Sequence, residues 1–155
     1  MTTVIDLLLW RHAEAEAGFD DDLARPLTPE GHTQAKRVAH WLQRHAPKNL
    51  ALLASPARRA QETLQHFAAH FTTEPAIAPG SPVSRVLDVL GWPNPQRSLL
   101  LVGHQPWIGQ TAAYLLTESP LPWAFPRASL WWFRVRPFHP RPVQLRAVIH
   151  PDLAA

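Results

Sequence analysis

Leu7-Leu8-Leu9-Trp10-Arg11-His12-Ala13-Glu14 is a short apolar run that stops abruptly at an arginine and a histidine. With Val4 and Ile5 ahead of it, the run predicts a strand over Val4–Trp10 that is buried on both faces, since it offers no alternating polar side to water. In an open α/β sheet, ligands bind in the crevice beyond the carboxyl ends of such strands. Arg11 and His12 stand at that place. The arginine brings a planar fork of donors that suits phosphate or carboxylate. The histidine brings a nitrogen that can be neutral and nucleophilic near physiological pH.

Two other stretches repeat the pattern. Ser98–Val102 (SLLLV) is a second buried strand, followed at once by Gly103-His104-Gln105-Pro106. Leu50–Ala54 is a third, followed by Ser55-Pro56 and a helix with Arg58 and Arg59 in its first turns. Equivalent ends on one sheet edge can converge in one pocket, which no single residue implies alone.

Between these strands the chain alternates with helices. Thr28-Pro29-Glu30 is a helix start, with threonine as N-cap, proline at the first helical position and an acid in the first turn. Ala35, Val38, Ala39 and Leu42 then form a core-facing stripe, and the helix runs to about His45. Ser55-Pro56 reads as the cap of a second helix reaching about His70. Ala76-Ile77 reads as a weak strand, Ser81-Pro82 as the start of a helix ending near Leu90, and Pro106 as the first position of a helix to about Leu116. Ser129–Val135 and Val143–Ile149 are expected to finish the sheet. The prediction is a single α/β domain over residues 1–155, with a mostly parallel central sheet and helices on both faces.

Composition narrows the functions open to this fold. The 155 residues include no cysteine, which excludes disulfides, thiolate catalysis and cysteine-based zinc sites. No stretch approaches the roughly 18 apolar residues of a membrane span, and the amino terminus lacks a basic signal-peptide region. A cytoplasmic protein with no membrane partner is expected. Net charge is +3 and comes from thirteen arginines against two lysines, a bias that favours fork recognition of oxyanions over a diffuse field. The arginines are scattered and form no run of five, so no nucleic-acid partner is expected.

Arg11-His12-Ala13 after a buried strand resembles the Arg-His-Gly signature of the histidine phosphatase, or phosphoglycerate mutase-like, superfamily. Three further segments match in order. Arg25-Pro26-Leu27-Thr28-Pro29-Glu30-Gly31 with Gln34-Ala35 is similar to the family's R-x-L-T-x-x-G-x-x-Q-A. Ser55 to Thr63 is similar to its S-x-x-x-R-A-x-x-T, and Gly103-His104-Gln105-Pro106 to its second histidine segment. The match spans residue 4 to about 116. The short chain and Ala13 in place of glycine point to the compact SixA-type phosphohistidine phosphatases.

The resemblance implies that His12 is a nucleophile that becomes transiently phosphorylated. It implies that Arg11, Arg25 and Arg59 hold the phosphoryl oxygens, and that His104 completes the cage. Arg59 rather than Arg58 is implied because the family arginine directly precedes the alanine, here Ala60. Neither cofactor nor metal is expected. The expected partner is a phosphohistidine-bearing protein, such as a phosphotransfer domain, or a small phosphorylated metabolite, with phosphate or sulfate able to occupy the site. A small-molecule phosphomonoesterase and a non-catalytic phosphate-binding module stay open as alternatives. The segment Ile77–Pro82 carries no carboxylate where larger members keep a proton donor, and Glu74 and Asp88 are the nearest acids. The short Leu64–Leu99 connection leaves little material for a lid.

Other polar residues read as scaffold. Asp20–Asp22 are expected to be a solvated loop, Trp107 a core residue, and Ala13 to set its Cβ beside the phosphate. His66 and His70, four apart on a helix, lack a third metal ligand, and His32, His40 and His45 show no partner.

Overall fold

The strand expected at the start of the chain forms over Ile5–Arg11 (β1), and its Leu7–Trp10 are fully excluded from water. The computed structural model describes residues 3–154. The other strands are Ala51–Ala54 (β2), Thr72–Thr73 (β3), Leu99–Gly103 (β4), Leu130–Val135 (β5) and Val143–Ile149 (β6). They make one sheet in the order β3-β2-β4-β1-β5-β6. The pairings from β3 to β1 are parallel, and β5 and β6 add an antiparallel hairpin. β1 is therefore internal to the sheet, with both main-chain edges paired, and helices packed on both of its faces leave no place for a polar side.

Four helices cover the sheet: Pro29–His45 (α1), Arg58–Gln65 (α2), Val83–Leu90 (α3) and Trp107–Thr117 (α4). Alternation along the strands divides the core. Leu7, Leu9, Leu99 and Leu101 pack with Val86 and Leu90 of α3 and Ile108 and Ala112 of α4. Leu8, Trp10, Leu100 and Val102 pack with Val38, Ala39 and Leu42 of α1 and Ala60 and Leu64 of α2. Each such leucine is worth about 2 kcal/mol of hydrophobic burial, so the sheet centre carries much of the packing that fixes the strand ends. Among the described residues no helix is long and apolar enough to cross a membrane.

Three details depart from expectation. α2 ends at Gln65 rather than near His70, and Phe67 and Phe71 turn in to pack on the second core. Ala76-Ile77 is not a strand. Prolines on both sides leave Pro75–Ile77 a single 3-10 turn, capped by Glu74 Oε2 accepting from Ala76 N, with Ile77 dropped into the first core. The strand paired to β2 is instead Thr72–Thr73, too short and too polar to show a period. Ser55 does not cap α2, whose N-cap is Ala57.

Candidate active site

The parallel strands β2, β4 and β1 end side by side, and each end supplies different side chains. β1 delivers Arg11 and His12, β4 delivers His104, and β2 delivers Ser55 and, in the first turn of α2, Arg59. All five candidate residues, Arg11, His12, Arg25, Arg59 and His104, line one cavity of about 260 Å³ together with Ala15, Pro79, Gln105 and Arg127. A larger hollow of about 800 Å³ lies between Ile5, Gln96 and the Pro137–Pro140 turn and contains none of them.

The family-like motif letters that bear no charge turn out to be supports. Thr28 Oγ1 accepts from Gly31 N and donates to Glu14 Oε2. Gln34 Oε1 accepts from Glu14 N. A Cβ at Gly31 would overlap the Glu14 carbonyl oxygen, so only glycine lets α1 run this close to the loop behind His12. Thr63 Oγ1 accepts from Ala13 N at 3.0 Å and donates to Arg59 O at 2.8 Å, tying the segment behind the histidine to the helix of the arginine. Ala13 is fully buried against Leu27, Ala35 and Ala128. Its methyl is thus taken up by a small core cluster and does not line the cavity, contrary to the expectation from sequence.

His12 is held by its own backbone. Nδ1 lies 2.7 Å from Ala13 O, an acceptor only, so Nδ1 carries the proton and Nε2 presents its lone pair. Burial pulls the His12 pKa down to about 3, and the charges of Arg59, Arg11 and Arg25 push the same way against the opposing Ala13 hydrogen bond. The ring is therefore neutral at physiological pH.

His104 faces it with ring centroids 5.1 Å apart. Its Nε2 lies 2.6 Å from Ser55 Oγ, which also accepts from Ala57 N. The Ser55 proton has no other acceptor among the described residues, so it goes to Nε2, and the His104 proton is left on Nδ1. Burial lowers this pKa to about 2, helped by His12 and Arg59. Trp107 is the core residue expected, fully buried under this corner with Nε1 donating to Ala78 O. Gly103 is required because a Cβ there would enter the Trp107 ring.

The arginines are pre-set. Arg11 Nη1 donates to Phe125 O at 2.8 Å. Arg59 Nη1 donates to Asp22 O and Nη2 to Asp22 Oδ2, while Arg25 Nη1 donates to Asp22 Oδ1 and Nε to Glu16 O. Asp22 is exposed, as the solvated loop expected, yet it also bridges two candidate arginines, and Arg25 beside it holds its carboxyl below the usual range. Arg58, as expected, points elsewhere and pairs with Glu62 at 2.6 Å. His32, expected to stand alone, is 2.9 Å from His66, the residue just after α2. Sequence reasoning missed Ser55 as a histidine partner, Asp22 and Arg127. Only Ser55 carried a signal, as the first residue after a strand end.

Four buried side-chain polar atoms among the described residues lack a hydrogen-bond partner, and three of them, Arg11 Nε, Arg59 Nε and His104 Nδ1, belong to this cavity. An unmet buried donor costs about 1–3 kcal/mol. All three lie on residues that line the cavity with His12, so this corner of the molecule concentrates cationic and N–H groups.

A doubly covered α/β sheet with two histidines and four arginines at its carboxyl edge defines a histidine phosphatase architecture, and the sequence relatives agree. The family model for the histidine phosphatase superfamily (branch 1) matches residues 7–80. The phosphohistidine phosphatase SixA homolog of Haemophilus influenzae is 31% identical over 126 residues, 72% of this chain and 77% of that protein. The phosphohistidine phosphatase SixA of Escherichia coli is 26% identical over 125 residues, 75% of this chain and 78% of that protein. The structure of the protein histidine phosphatase SixA complexed with tungstate has the same fold, with a TM-score of 0.79 at 22% identity, covering 96% of this chain and 98% of that one. The chain belongs to the histidine phosphatase superfamily, in its SixA-type branch.

Proposed function

We propose that the chain is a phosphohistidine phosphatase that works without a metal, through a phosphorylated His12, on phosphohistidine carried by another protein. The observation that carries this reading is that Arg11, Arg25, Arg59 and His104 line one cavity with a neutral His12 whose Nδ1 is tied to Ala13 O, leaving Nε2 as the nitrogen with a lone pair.

Phosphoryl transfer asks mainly for positioning and for compensation of charge on three equatorial oxygens. Arg11, Arg59 and the Nδ1–H of His104 supply donors fixed before substrate arrives, with Arg25 as a further cation. His12 Nε2 attacks phosphorus as the bond to the leaving nitrogen breaks, and the departing imidazole takes its proton from water. Water then attacks the phosphorus on His12, phosphate leaves, and Nε2 recovers its lone pair. One hard step becomes two easier ones.

The cavity itself supports the substrate class. Among the described residues no carboxylate lines it, and Pro79 stands in the segment where larger relatives keep a proton donor. An alkoxide leaving group suffers most from that lack, whereas an imidazole is a good leaving group once protonated by solvent. A cavity of about 260 Å³ is small for a ligand site, which suits a phosphorylated group presented on a larger molecule. Two sequence relatives are named as phosphohistidine phosphatases, which accords with this reading.

The test is rapid-quench trapping with a phosphohistidine protein and, separately, an aryl phosphate. Acid-labile, alkali-stable label on wild type but not on His12→Ala, with faster turnover of the phosphohistidine substrate, is expected. Label only from the ester moves the substrate to small phosphates. Neither label nor released phosphate leaves a phosphate-binding module.

A further inference from the structure

We propose that Arg127 reads a second anion on the substrate, a carboxylate beside the phosphorylated group, and thereby sets specificity at this pocket. The proposal rests on the reading that the pocket binds a phosphoryl group, and adds to it a residue outside the family-like motifs.

Arg127 lines the same cavity as the five candidate residues, yet it differs from the other arginines there. Arg11 is tied to Phe125 O, Arg59 to Asp22, and Arg25 to Asp22 and Glu16 O. The Arg127 guanidinium makes no hydrogen bond among the described residues, and its nearest carboxylate oxygen, Glu14 Oε1, is 3.9 Å away across a half-exposed rim. The neighbouring carboxylate is itself engaged, since Glu14 Oε2 takes the Thr28 hydroxyl. Arg127 is close enough to the anion cage that its charge, after burial, is the next cause lowering the Arg11 pKa.

Its backbone, in contrast, is fixed with care. Ala128 has φ 62°, a left-handed conformation that a non-glycine residue adopts only when its surroundings hold it there. Ala128 N donates to His12 O at 3.1 Å, Ala128 O accepts from Trp10 Nε1 at 2.9 Å, and Ser129 O accepts from Arg11 N at 3.0 Å. Phe125, two residues earlier, stacks on Trp131 with centroids 5.3 Å apart. A turn locked onto the end of β1 thus holds one half-exposed cation, without a hydrogen bond among the described residues, at the mouth beside His12.

The chemistry of the rim selects the ligand. A guanidinium fork accepts either carboxylate or phosphate, but Glu14 at the same rim repels a dianion more than a monoanion. A carboxylate pairs with the Arg127 fork and meets less repulsion from Glu14 than a second phosphate would. It can come from an acidic side chain next to a phosphohistidine or from the acid group of a small phosphorylated metabolite, and the two sources are separated below.

The experiment measures affinity by calorimetry, so that it does not depend on turnover. Methylphosphonate is compared with phosphonoacetate and 3-phosphonopropionate on wild type, Arg127→Ala and Arg127→Lys. Wild type is expected to prefer the better of the two carboxylates by about fivefold, the scale of a rim ion pair. That preference should fall below twofold in Arg127→Ala and partly return in Arg127→Lys. Methylphosphonate binding without a carboxylate preference in wild type, or a preference that survives Arg127→Ala, overturns the proposal. No binding of methylphosphonate at all overturns the phosphoryl reading beneath it. A phosphohistidine peptide with a glutamate neighbour, compared with its glutamine version, then names the source. An Arg127-dependent difference in KM rather than kcat assigns the carboxylate to a protein, and its absence assigns it to a small acid.

Discussion

Lowering the pH from 8 to 5 should destabilise this protein steeply, and two residues should account for most of it. His12 and His104 are 8% and 2% exposed and are held neutral, with pKa values of about 3 and about 2 against an ordinary 6.5. In the unfolded chain both rings take up a proton below pH 6.5, while in the folded chain neither does until far lower. Unfolding therefore binds protons, and stability is full above pH 6.5 and falls with pH toward the folded values. At pH 5 each ring contributes RT ln(1 + 10^1.5), about 2 kcal/mol, so the pair costs about 4 kcal/mol. That is a large part of the stability of an ordinary domain. Urea denaturation at pH 8, 6.5 and 5 should show a slope approaching about 2.7 kcal/mol per pH unit below pH 6. The double variant His12→Asn/His104→Asn should lose about 4 kcal/mol of the difference between pH 8 and pH 5, and each single variant about 2. An unchanged slope in the double variant would refute the neutral, buried state of both rings.

Other outcomes follow from contacts around the pair. Ser55→Ala removes the hydroxyl that fixes the His104 proton on Nδ1, so kcat should fall about tenfold with a smaller change in KM; steady-state kinetics showing only a KM effect would count against the tautomer argument. Gly103→Ala drives a methyl into the Trp107 ring and should cost about 1–3 kcal/mol, seen as a drop in Tm of about 3 °C per kcal/mol. Asp22→Asn weakens the bridge between Arg25 and Arg59 and should reduce phosphate affinity about two- to fivefold; tighter phosphate binding would mean that Asp22 competes with the anion rather than orienting its ligands.

Much of this was legible before any coordinate. β1 and β4 are central parallel strands, and a strand buried on both faces must be apolar throughout, so their ends, and Arg11, His12 and His104 with them, could be placed from pattern alone. α1 was equally plain, because Thr28, Pro29 and the stripe through Leu42 agree on one answer. What the sequence hides is contact across long separations. Asp22 looks like one acid in a polar run, and its hold on Arg59 spans 37 positions. Arg127 sits in a proline-rich connection with no period to read, and only the fold carries it to the mouth of the site. Ser55 is only half legible, because Ser-Pro before a helix ordinarily caps it, and here the hydroxyl goes to a histidine 49 positions away. The Ala76-Ile77 error has a similar root: a buried apolar pair fits a strand or a 3-10 turn equally, and the flanking prolines settle it.

The hydrogen bond from His12 Nδ1 to Ala13 O also has an evolutionary side. Its acceptor is a main-chain carbonyl, which any residue at position 13 supplies. In enzymes that orient a catalytic imidazole with an aspartate, one codon change removes the orienting group. Here no single codon change deletes the orienting oxygen, and drift at position 13 can test side chains against the small cluster behind it while the His12 ring keeps its orientation. Glycine in the family signature and alanine in this chain are two samples from that permitted set.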